Sequence, residues 1–331
     1  MNDPRPEVRE FIERRYPGAA VERLAGDASY RIFYRIRTVA GPSLVVMDYG
    51  SAFEGETDDI RLGSVFRRAG LRVAELLQSV PETGILLLED LGSTSLESVL
   101  AQPRADGSDG PPPILARAVE LAASVARSGT PVLAQSDRAD GPALDRERFR
   151  FEMDFFLAHF VRGLRGTTDP MPKLRGALHT LADLAATTPT RVLCHRDLHS
   201  RNIMVLDDGS LAMVDIQDAR WGPDAYDLAS ILRDAYVDID ERWLELLTRK
   251  YLRALPDPPD PVSFRRRLDV VAAQRMLKAL GSFGYLTVVK QMERYRDAVP
   301  RTLARLDHLL PTLEETQALH DRLSRMGVFS P

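Results

Sequence analysis

Apolar residues in the first ninety positions fall in short runs, several of them alternating with polar ones. Residues 6–16 have the spacing of an amphipathic helix. AAVERLAG (19–26) and RIFYRIRTV (31–39) then read as two strands around the turn-prone GDASY, and LVVMDYG (44–50) as a third. Asp58 and Asp59 open a helix over 56–70 that Gly70 closes. AELLQSV (74–80) and GILLLEDLG (84–92) give two further strands on either side of PETG. The predicted order is three strands, one helix and two strands.

From Ser93 the pattern turns to the helical period. It predicts helices over 94–102, 113–128, 144–163 and 173–187, with loose stretches at 102–113 and 130–143. The phenylalanines of RFRFEMDFFLAHF recur at helical spacing and read as core. One strand-like island interrupts this half, RVLCHRDL…NIMVLDDGSLAMVDI (191–216), with a hairpin turning at DDGS. Helices follow, broken by PDPPDP (256–261). DVVAAQRMLKALGSFGYLTVV (269–289) is apolar but carries Arg275 and Lys278, so it reads as a buried helix and not as a membrane span.

A chain of 331 residues has room for about two average domains. Its 44% hydrophobic and 28% charged residues are those of an ordinary globular protein. A formal net charge of −4 gives no support for a general nucleic-acid surface, because phosphate binding needs a basic face. The single cysteine, Cys194, excludes an intramolecular disulfide and fits a reducing compartment. The start MNDPRPEVRE has no apolar signal core. The expectation is a cytoplasmic protein with neither membrane nor nucleic-acid partners.

The island carries the chemistry. CHRDLHSRN places His195, Asp197 and His199 two positions apart, with Asn202 five residues after the aspartate. Two imidazoles and a carboxylate resemble a transition-metal cage, but no further ligand lies nearby in sequence to complete one. A hairpin brings Asn202, at the start of its first strand, near Asp215, at the end of its second. An amide oxygen and carboxylates are hard donors that suit Mg²⁺ carried with substrate phosphates. In that reading His195 supports the loop and His199 faces a cleft or solvent.

HRDLHSRN also matches the H-R-D-L-x-x-x-N catalytic loop of the protein-kinase fold at every specified position. Downstream, Asp215-Ile216-Gln217 stands in place of Asp-Phe-Gly, and no Ala-Pro-Glu follows. VDIQDARWGPDAYDLASILRD instead resembles the aminoglycoside-phosphotransferase and choline-kinase group, through Asp215, Ala219, Gly222, Pro223, Asp227, Leu228 and Ala229. GDASYR, VVMD, LLLEDLG, IQDA, YDL and ILRDAY are most similar to the bacterial kinases that phosphorylate cell-wall amino sugars, N-acetylmuramate and N-acetylglucosamine, on the anomeric hydroxyl.

This resemblance implies an α+β, two-lobed protein-kinase-like fold: a small antiparallel-sheet lobe over 1–90 that binds nucleotide, and a larger, mainly helical catalytic lobe over 91–331, joined by a hinge at about 89–92. Asp197 is the implied base, Asn202 and Asp215 the implied Mg²⁺ ligands, and ATP the implied donor. Asp27, Ala28 and Ser29 of the AGDASY turn would line the phosphates, and Glu89, Asp90 and Leu91 the adenine. Asp227 would brace the catalytic loop. His199, Asp218, Arg233 and Asp234 are candidates for the sugar side. One departure stands out. The chain has lysines only at 173, 250, 278 and 290, so the usual strand lysine is missing and Met47-Asp48 occupies its place. Arg31, Arg35 and Arg37 alternate on one face of the second strand, and Arg31 and Arg35 are the candidate replacements. Kinases of an aminoglycoside, choline or homoserine, and a nucleotide-binding pseudokinase, are the alternatives.

Overall fold

A computed structural model of the chain describes residues 3–24, 31–103, 109–167 and 172–329. Asp27, Ala28 and Ser29 lie outside these residues. Helix α1 (Pro6–Arg15) precedes strands β1 (Ala20–Arg23), β2 (Ile32–Arg37) and β3 (Leu44–Asp48). Helix α2 (Asp58–Arg68) separates these from β4 (Leu76–Val80) and β5 (Ile85–Glu89). The strands form one antiparallel sheet in the order β1-β2-β3-β5-β4. The element order is the predicted one.

Strand alternation divides the side chains of this sheet. Tyr34 pairs with Val46, and Val46 with Leu87, so these share one face. With Ile36, Leu44 and Ile85 they form a core against Val8, Phe11 and Ile12 of α1. Each such aliphatic side chain contributes roughly 1.5–3 kcal/mol by leaving water. Arg35 has the opposite parity and points away from α1. Asp48 accepts from Arg5 Nε at 2.8 Å, at the foot of α1.

Two compact units emerge, Met1–Thr94 with Met204–Gln217, and Ser95–Ile203 with Asp218–Pro331. The hairpin of β7 (Ile203–Val205) and β8 (Leu211–Met213) groups with the first unit, although the sequence reading placed 204–217 in the second. Backbone bonds are the reason: Val205 N–H donates to Thr94 O at 2.8 Å and Met213 N–H to Arg72 O at 2.9 Å.

The second unit is helical: α3 (Leu96–Leu100), α4 (Pro113–Ser124), α5 (Thr130–Ala134), α6 (Arg146–Phe156), α7 (Pro172–Ala186), α8 (Tyr226–Leu232), α9 (Leu244–Arg253), α10 (Pro261–Gly284), α11 (Val299–Leu309) and α12 (Gln317–Arg325). Two readings need correction. The stretch after residue 129 was expected to be loose, but a widened π turn over Val125–Gly129 carries the helix on into α5, past Pro131. The first strand of the island, β6 (Arg191–Cys194), was expected near the hairpin but pairs with β9 (Arg220–Pro223), which the sequence does not announce. Gly222 is required there, because a Cβ would lie 2.8 Å from Cys194 Sγ and 2.9 Å from Leu144 Cδ1. Among the described residues no helix is long and apolar enough to cross a membrane.

Candidate active site

The loop between β6 and β7 is held from behind by buried carboxylates. Asp227, on α8, accepts the backbone N–H of His195 at 2.7 Å and of Arg196 at 3.0 Å. This is the bracing place its motif implied. Arg196 has φ +81°, a left-handed conformation that costs a non-glycine residue about 1–3 kcal/mol and persists only where surroundings fix it. Its side chain supplies a second anchor, donating to Asp218 at 2.8 Å and to buried Glu152 at 3.3 Å. Glu152 also accepts from Gln274 at 2.9 Å. Asp234 is 2% exposed and takes the N–H of Ser200 at 2.6 Å and of Tyr236 at 2.8 Å. Its carboxylate therefore braces the loop and is not presented to a sugar. Burial raises the carboxyls of both Asp227 and Asp234.

At the bend, Asp197 takes two contacts through its backbone oxygen. His199 N–H and Asn202 Nδ2 each donate to it at 2.9 Å. Committing Nδ2 leaves the amide oxygen of Asn202 able to accept a further bond. The Asp197 carboxylate accepts from Lys278 Nζ at 2.6 Å, and Arg275 Nη2 lies 3.9 Å away. Burial raises this carboxyl, but Lys278, Arg196 and Arg275 outweigh it and hold Asp197 well below the usual carboxylate range. It is ionised at neutral pH.

His199 is half-buried. Its ring meets Tyr236 edge-on at 5.1 Å, and burial, against the pull of Asp197, lowers its pKa to about 3. The imidazole stays neutral. Arg233 is buried and pairs with Glu241, not with the loop. The structure thus brings His199, Asn202 and, through Arg196, Asp218 to Asp197, whereas Arg233 serves elsewhere.

The first unit holds a second polar cluster. Arg31, just before β2, is 5% exposed and grips both oxygens of Asp59, at 2.6 and 2.7 Å. Its other nitrogen reaches Asp215 Oδ1 at 3.3 Å. Tyr49 also donates to Asp59. Burial lowers the Arg31 pKa, but Asp59 and Asp215 more than reverse this. Asp215 has φ +62°, follows β8, and accepts from Gln217 Nε2 at 2.9 Å.

Arg35 needs correction as a phosphate contact. It is bidentate to Asp90, at 2.6 and 2.9 Å, and donates to Gly92 O at 2.7 Å. Asp90 takes Ser43 as well, at 2.6 Å. This buried pair ties β2 to the segment after β5. Arg37 lies exposed beside Glu22. Glu89 pairs with Arg72, while its N–H bonds to Glu75 O at 2.9 Å. Leu91 is buried.

Sequence reasoning missed Lys278, Arg275, Glu152 and Asp59. Only the first two left a signal, two cations three residues apart in an otherwise apolar helix.

A sequence profile for a phosphotransferase enzyme family matches residues 20–262, most of the chain. The chain belongs to that family. This phosphotransferase is 30% identical to the N-acetylmuramate/N-acetylglucosamine kinase of Pseudomonas aeruginosa, over 94% of this chain and 88% of that one. It is also 30% identical to the enzyme of the same name from Neisseria meningitidis serogroup B, over 84% and 82%. An ethanolamine kinase of Plasmodium vivax shares the fold at 12% identity, with a TM-score of 0.64 over 92% of this chain and 88% of that one. The phosphotransferase thus has the α+β protein-kinase-like fold.

Proposed function

We propose that this phosphotransferase moves the γ-phosphoryl group of ATP to the anomeric hydroxyl of an N-acetylated amino sugar, N-acetylmuramate or N-acetylglucosamine. The observation that carries the reading is the ionised Asp197, held on a doubly braced loop, in a chain similar over nearly its whole length to kinases of those sugars. The acceptor O–H gives its proton to Asp197. Its oxygen bonds to the γ-phosphorus as the bond to the bridging oxygen breaks, and that electron pair leaves with ADP.

Mg²⁺ fits the donors present. Asn202 retains its amide oxygen, and the Asp215 side chain is 45% exposed, both hard oxygen donors. When bound, the ion neutralises charge on the phosphates. Arg31 replaces the missing strand lysine, and Asp59 takes the part of the carboxylate that usually pairs with it. Arg31→Ala therefore raises the KM for ATP without raising that for sugar, since a ground-state phosphate contact is lost. Arg35→Ala instead costs roughly 3–5 kcal/mol of stability, because the buried Asp90 is left unpaired. Steady-state kinetics and thermal unfolding of both variants separate the two roles. Unchanged ATP kinetics in Arg31→Ala would move the phosphate grip elsewhere.

The acceptor is tested by incubation with N-acetylglucosamine, N-acetylmuramate, kanamycin and choline, followed by proton-coupled phosphorus NMR. A doublet from coupling to the anomeric proton is the expected product signal. A 6-phosphate signal, or turnover of kanamycin alone, overturns the amino-sugar reading and leaves phosphoryl transfer standing.

A further inference from the structure

Helix α10 has more than half of its residues buried, yet it carries Arg275 and Lys278 one turn apart on the side that faces Asp197. The Lys278 side chain is 17% exposed and that of Arg275 is 7% exposed. Among the described residues Asp197 is the ion-pair partner of both, so two buried cations share one carboxylate. Arg275 Nε is sealed from solvent with no hydrogen-bond partner. Burying a cation is costly unless an opposite charge answers it. When Asp197 takes a proton both cations lose that partner, and an anion arriving beside it can take its place.

Geometry says which anion. Lys278 Nζ holds Asp197 Oδ1, which leaves Oδ2 for the acceptor hydroxyl and two ammonium N–H groups uncommitted. A hydroxyl oxygen at about 2.7 Å from Oδ2 brings the phosphorus it attacks up to the same carboxylate that Nζ holds. We infer that Lys278 contacts the phosphoryl group in transit, so that α10 supplies the transfer step with a cation in addition to the Arg31 contact on the nucleotide. This rests on the assignment of Asp197 as the proton acceptor.

As the acceptor proton passes to Asp197, the new O–P bond forms and the bridging O–P bond breaks toward ADP. Asp197 then no longer offsets the ammonium. The charge of Lys278 falls wholly on the phosphoryl oxygens, where a preorganised donor stabilises the transition state and the product. Arg275 stands behind it as the second cation of the pair.

Two variants test this, Lys278→Met, which keeps the length of the side chain in an apolar helix, and Lys278→Arg, which keeps the charge. Isothermal titration measures N-acetylglucosamine and N-acetylglucosamine 1-phosphate separately, with Mg·ADP affinity and circular dichroism as controls on folding. If the NMR panel yields another product, the phosphorylated and free forms of that acceptor serve as the probe pair, so failure of the sugar reading changes the probe and not the comparison. Lys278→Met is expected to lower kcat by about 10²–10³ and to weaken the phosphorylated sugar at least tenfold, with the free sugar unchanged. Lys278→Arg should restore part of both. Equal affinity of wild type and Lys278→Met for the phosphorylated sugar overturns the inference and leaves Lys278 as a group that only positions Asp197. A loss confined to the free sugar does the same.

Discussion

Asp197→Asn lowers kcat by a factor of about 10² or more while Mg·ATP affinity stays nearly at the wild-type value. The amide is close in size to the carboxylate, so the loop keeps its braces: the bonds of Asp227 to the N–H of His195 and Arg196, and of Asp234 to that of Ser200, involve no atom of the Asp197 side chain. Lost is the negative charge that answers Lys278 and that, in the proposed reaction, takes the acceptor proton. Rapid-quench kinetics and calorimetry on the same preparation check both halves of the expectation. Equal losses in nucleotide affinity and turnover would assign Asp197 to the metal and not to the proton. The variant also exposes the cation pair of α10 without its carboxylate, so a phosphorylated sugar should bind to it no more weakly than to wild type.

The pattern of short apolar runs between turn signals locates the five-stranded sheet, whose β3 is buried along its whole length and so leaves a continuous run and not a period of two. It fails at β9. That strand is Arg220-Trp221-Gly222-Pro223, and its last two residues are those of a turn. Glycine is present there because β6 and Leu144 crowd the backbone, a tertiary reason that no local pattern carries. The same holds for α5, where a proline normally ends a helix but a widened turn absorbs it.

The candidate site divides in the same way. Asp197, Asn202 and Asp227 are legible because the loop that holds them is continuous or nearly so, and its spacing is fixed by backbone geometry. Partners chosen across long sequence distances are not. Arg31 and Arg35 look equivalent on a strand, and only the fold sets Asp59 before one and Asp90 before the other. Arg233 and Asp234 are neighbours in sequence, but one pairs with Glu241 and the other turns inward to the loop. Lys278 lies 81 residues from Asp197, and its motif is no more than a charge where an apolar residue would pack.

Asp215→Ala abolishes the dependence of nucleotide binding on Mg²⁺. The carboxylate follows β8 with φ +62°, a conformation that aspartate and asparagine tolerate better than alanine does. Alanine therefore removes a ligand and strains the turn together, and Asp215→Asn separates the two effects by keeping the turn and removing the charge. Arg31 keeps its two bonds to Asp59 in either variant, so the phosphate contact proposed for it should survive. Mg·ATP affinity is expected to fall by a factor of about 10² or more, beyond the 10–100-fold typical of groups that only orient a ligand. ATP measured in EDTA should bind wild type and both variants alike. Calorimetry with and without Mg²⁺ decides the matter: if Asp215→Ala still gains affinity from the metal as wild type does, Asp215 is a partner of Arg31 and Gln217 and the ion is held by other oxygens.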